Sequence, residues 1–113
     1  MRKLAVLLLS ISLCPLVALA ADATFNNVPL VDVNCSKKVA ANPDAHPREC
    51  ALKCAASGFG IVTSDNQFLK LDAKGNTEIT NALKESDKKD HLRVDVSGEV
   101  EGSTLKVTSI KLL

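Results

Sequence analysis

Leu92, Val94 and Val96 alternate with Arg93, Asp95 and Ser97, which is the pattern of a strand with one buried face. Residues 98–103 make a turn, and Leu105 and Val107 continue the pattern in a second strand. Ile110 and Leu112 then have the opposite parity, so a bulge is expected near Thr108-Ser109. Upstream, residues 59–63 and 67–71 read as a hairpin around Ser64-Asp65-Asn66. The first strand covers residues 24–33. Its apolar positions change phase, Val28 and Leu30 against Val31 and Val33, so a break is expected near Pro29. Residues 34–45 form a polar connection. Residues 72–76 read as a turn or loop, and residues 77–84 as a helix with Ile79, Ala82 and Leu83 at helical spacing. Residues 85–90 are a charge run, read as a solvated loop.

One more helix is expected between residues 46 and 58. Asp44 and His46 are candidate N-caps, Pro47 suits the first helical position, and Gly58 suits the C-cap. Ala51, Leu52, Ala55 and Ala56 favour helix. The order is then strand, helix, strand, strand, helix, strand, strand. This is a mainly β chain with two helices, of the α+β class. It matches the small five-stranded Greek-key barrel called the OB-fold, with the Cys-bearing helix inserted between strands 1 and 2. An open α+β sandwich built from the same strands is the competitor.

The start of the chain changes the setting. Arg2 and Lys3, the apolar run of residues 4–13 and Ala18-Leu19-Ala20 have the form of a signal peptide over residues 1–20. Residues 21–113 then make a single domain, exported to the periplasm or secreted, with no membrane span after cleavage. Without Arg2 and Lys3 the 14 basic residues no longer exceed the 13 acidic ones, and three Phe are the only aromatic residues. That charge and composition argue against nucleic acid as a partner. The expected partner is a protein or a small molecule of unknown identity.

Of four cysteines, Cys14 falls in the signal peptide, leaving Cys35, Cys50 and Cys54. In an oxidising compartment three is an odd number, so one disulfide leaves one thiol free. On a regular helix His46, Cys50 and Cys54 form one stripe, but eight residues rise about 12 Å, too far for one ion to hold both ends. Cys50 is the member shared by both reachable pairs. The pattern Cys35…His46-x3-Cys50-Ala51-x2-Cys54-x3-Gly58, followed by a hairpin, a helix and a strand pair, resembles a group of small exported bacterial OB-like proteins. The resemblance covers most of residues 21–113 and implies the fold and the site, with no ligand attached.

Three functions use this cluster. The first is metal binding, with Cys35, His46, Cys50 and Cys54 as the ligand pool for zinc or for copper in its reduced state. The second is a binding or interaction module without catalysis, held by a disulfide from Cys35 to Cys50 or Cys54. The helical spacing of Cys50 and Cys54 disfavours a bridge between those two. The third is thiol redox chemistry, with Cys50 as a thiolate near a helix N-terminus. No P-loop, Ser-His-Asp order or carboxylate pair supports another enzyme class. With Cys50 as the hub, Cys50→Ser is expected to abolish the activity of the cluster. His46→Ala is expected to weaken it without unfolding, because a helix-end side chain reaches water.

Overall fold

The structure, a computed structural model, describes residues 21–113. The signal peptide expected over residues 1–20, Cys14 with it, lies outside the described residues. Five strands, β1 (Ala21–Asp32), β2 (Phe59–Val62), β3 (Phe68–Leu71), β4 (Arg93–Glu101) and β5 (Thr104–Leu112), close into a barrel in the order β1-β2-β3-β5-β4. All neighbours are antiparallel except β3 and β5, which run parallel through Lys70↔Thr104 and Leu71↔Leu105. Among the described residues three short helices accompany them, α1 (Ser36–Val39), α2 (Arg48–Lys53) and α3 (Ala73–Glu85). The helix beyond the two expected is α1, which lies in the connection read as polar. Three 3-10 turns, at Val33–Cys35, Pro43–Ala45 and Ala55–Ser57, fill most of the remainder between β1 and β2.

Alternation closes the barrel around one core. Val94, Val96, Leu105, Val107, Leu69, Leu71, Phe59, Ile61 and Leu30 are buried inward, and Ile79 and Leu83 join them from α3. Two breaks in register bend the sheet. On β5, Ser97 pairs with Ser109 but Gly98 pairs with Val107, so Thr108 is the extra residue. This is the bulge the parity of Ile110 and Leu112 predicts. The vacated Thr108 carbonyl accepts from Lys74 Nζ of α3 at 3.1 Å. On β1 the shift falls between Phe25 and Val28, a few residues before Pro29. Asn27 takes φ 51, a left-handed conformation that Asn tolerates, and its N–H reaches Asp95 Oδ1 at 2.8 Å. Pro29 itself stays in the ladder opposite Arg93.

α3 begins four residues earlier than the hydrophobic spacing predicts. Asp72 caps it by accepting from Gly75 N–H at 3.0 Å, so Gly75-Asn76 lies inside the first turn rather than in a loop. Gly75, Ile79 and Leu83 are the buried stripe, spaced by four. Asn76 ties α3 to the barrel end: its Oδ1 accepts from Phe59 N–H at 2.8 Å and its Nδ2 donates to the Leu71 carbonyl at 3.3 Å. The end of β1 and the start of β2 sit at this same end of the barrel, because those strands are antiparallel neighbours.

Candidate metal centre

Asp32 ends β1 with its side chain 0 % exposed, and His46 is 5 % exposed. Their side chains meet: His46 Nε2 donates to Asp32 Oδ1 at 2.6 Å. The other carboxylate oxygen, Oδ2, accepts from Cys35 N–H at 2.9 Å and so caps the first 3-10 turn. A buried carboxylate is tolerated where its oxygens find donors, and Asp32 has found two. One ligand atom from each of Asp32, Cys35 and His46 lies within 4.8 Å of the others. Among the described residues this is the group of His, Cys, Asp and Glu side chains that can hold a metal ion.

Neither residue type nor spacing marks Asp32 as a ligand. It sits three residues before Cys35, and the signal for it was the acidic position in an otherwise buried apolar strand end, Leu30-Val31-Asp32. His46 differs from its expected setting. It is not on the helix of Cys50 and Cys54: it follows the Pro43–Ala45 turn with φ −72 and ψ 118, extended. Pro47 is the N-cap of α2 rather than its first residue, and α2 ends at Lys53 with Cys54 as its C-cap. A helical stripe of His46, Cys50 and Cys54 therefore does not form. The extended backbone at His46 turns the ring inward to Asp32 instead of leaving it in water. The expected cap Gly58 is used, at φ 84, to end the Ala55–Ser57 turn.

The three thiols are free and differ in setting. Cys35 and Cys54 are partly buried, and Cys50 is exposed on α2, outside the group with Asp32. Cys54 is a neighbour of Cys35. Several bonds bring their two segments together. Asn34 Nδ2 donates to Cys54 Sγ at 3.5 Å, Asn34 N–H to Ser57 Oγ at 3.2 Å, and Val33 N–H to the Gly58 carbonyl at 2.8 Å. Partial burial, then the Asp32 carboxylate, then the Cys54 thiol raise the Cys35 thiol above its ordinary range. That is the reverse of an activated nucleophile, and it is the setting that a cation would invert by displacing the thiol proton.

The segment before His46 is clamped from outside. Arg93 forks onto Asp44, Nε to Oδ1 at 2.9 Å and a terminal nitrogen to Oδ2 at 2.8 Å, while its other nitrogen donates to the Asn27 carbonyl. The Asp44 carbonyl accepts from His91 N–H at 2.8 Å. The Arg93 hydrogen bonds, against partial desolvation and helped by the Arg93 and His91 charges, hold the Asp44 carboxyl below its ordinary value. A depressed folded value means stability that is present above the unfolded value of about 4 and is lost as pH falls through the folded one. Arg93→Ala should cost about 1–2 kcal/mol at pH 7. The gap to wild type should shrink at pH 2, as read by urea unfolding at both pH values. An undiminished gap at pH 2 would mean that the Asp44 charge has no part in it.

No protein-family model, no curated protein and no solved structure matches this chain.

Proposed function

We propose that the chain is a small exported metal-binding domain in which Asp32, Cys35 and His46 hold one zinc ion. The observation that carries this reading is the convergence of the three donor atoms within 4.8 Å, two of the residues being buried. Bonds of about 2.0–2.3 Å in a tetrahedral site set ligand atoms about 3.3–3.8 Å apart. The hydrogen-bonded Asp32–His46 pair would open by about 1 Å to admit the ion, and Cys35 would close in. One thiolate, one imidazole and one carboxylate form a mixed set that suits zinc, whereas monovalent copper favours sulfur. The fourth position is left to water, and Cys50 stays outside the shell. The barrel is of the OB type, supported by the closed order β1-β2-β3-β5-β4 and by α3 between β3 and β4. α1 and α2 are then part of an insertion between β1 and β2, and the site residues Cys35 and His46 lie in that insertion just before each helix. Export rests on the form of residues 1–20.

The test is zinc titration of protein expressed from the full-length gene, recovered from the exported fraction and fully reduced. About one equivalent should bind, and intact mass should show a chain beginning at Ala21. Cys35→Ser should weaken binding by more than about 100-fold, beyond the usual loss for an outer-shell partner. Cys50→Ser should bind as wild type does. Unchanged binding in Cys35→Ser, or none by reduced wild type, removes the zinc reading. Loss in Cys50→Ser would return the exposed thiol to the ligand set.

A further inference from the structure

We propose that Cys35 and Cys54 close a disulfide, and that this bridge and the bound metal exclude one another, so that the site loads only when reduced. The inference rests on the zinc reading above for its second half. Its first half rests on placement alone. Asn34, the residue before Cys35, donates its side-chain N–H to Cys54 Sγ at 3.5 Å, and the bonds from the Val33 and Asn34 N–H groups to Gly58 and Ser57 hold the two segments side by side. Both are partly exposed, so a small oxidant reaches them, while Cys50 stands apart on the surface of α2.

Cys35 has two incompatible uses. As a ligand it must be a thiolate with a free lone pair and a negative charge. In a disulfide its sulfur has neither, and the bond draws it to about 2.05 Å from the other sulfur. The oxidant is a low-molecular-weight disulfide. Cys54 attacks it, one sulfur–sulfur bond breaks, and the first small thiol leaves. Cys35 then attacks the mixed disulfide at Cys54, the protein bridge forms, and the second small thiol leaves. Two electrons pass from the protein to the oxidant. The two protein thiol protons end on the two small thiols. In the loaded protein the Cys35 proton is already gone, so the second small thiol takes its proton from water as the zinc ion departs.

The experiment treats full-chain protein from the exported fraction with oxidised glutathione, then with a phosphine reductant, reading zinc binding and mapped peptides at each stage. The expected result is a Cys35–Cys54 bridge with Cys50 still open to alkylation, zinc affinity lower by at least 100-fold, and recovery on reduction. The Cys50→Ser variant should give the same bridge and the same cycle. A bridge that uses Cys50, or free thiols throughout, overturns the pairing. A Cys35–Cys54 bridge with zinc affinity unchanged overturns the exclusion alone. Reduced protein that binds no zinc overturns the metal reading and the exclusion with it, while the mapped peptides still decide the pairing.

Discussion

His46→Ala should destabilise the domain by about 3–5 kcal/mol, even in metal-free protein. The variant removes the donor from Asp32 Oδ1 and leaves a carboxylate that is 0 % exposed facing the barrel end. Cost of that kind comes from the partner left behind more than from the bond lost. It is also a large share of the total for a small domain, whose stability is about 5–15 kcal/mol. A midpoint lower by on the order of 20 °C is expected. His46→Gln, which keeps an N–H near the carboxylate, should recover part of the loss. Urea unfolding of the three proteins without metal reads both. A His46→Ala loss under about 1 kcal/mol would mean that water reaches Asp32 freely and that the His46 contact is dispensable, in keeping with the expectation that a helix-end His46 side chain reaches water.

The second large effect lies at the β5 bulge. A Cβ at Gly98 would run into the Lys106 carbonyl oxygen and stand 2.8 Å from its carbon and 3.1 Å from Val107 Cα. All three are backbone atoms of the paired strand, so no side chain can swing aside. Gly98→Ala should cost about 3 kcal/mol or more and shift the β4–β5 register. Gly102→Ala is the comparison: nothing lies within 4 Å of that Cβ, and the penalty there comes only from φ 60. Denaturation of both variants should rank Gly98→Ala well below Gly102→Ala. Equal losses would show that the bulge opens without resistance.

The strands were legible because burial imposes a period of two, and a parity change in Ile110 and Leu112 can only be met by an extra residue. Hence the bulge at Thr108 was visible while the one at Asn26-Asn27 was misplaced toward Pro29. Asn27 carries no apolar side chain to mark the phase, and its left-handed turn is held by a distant acceptor, Asp95. The start of α3 was missed for a related reason. Gly75 reads as a turn residue by its backbone freedom, but here its bare Cα lets the helix lie directly against Val107. At the site, Cys35 and His46 were found from residue type alone. Asp32 was not, since a carboxylate at a strand end is unremarkable until a histidine 14 residues later is folded onto it. Helical spacing drew His46, Cys50 and Cys54 together, and the extended backbone at His46 and Pro47 undoes that alignment.

The placement of β1 in the closed order bears on how the chain acquires its fold. Among the described residues its first half pairs only with β4, so Thr24 meets Ser97 across 73 residues of chain. Its last three residues pair with β2, much nearer in sequence. A growing or emerging chain can therefore set the Asp32 end of β1 against β2 early, whereas residues 21–25 have no ladder to join until β4 is present. Long-range pairing of this kind slows folding and leaves a strand edge open meanwhile. The end of β1 that bears Asp32 is the end free to organise first, before the barrel closes.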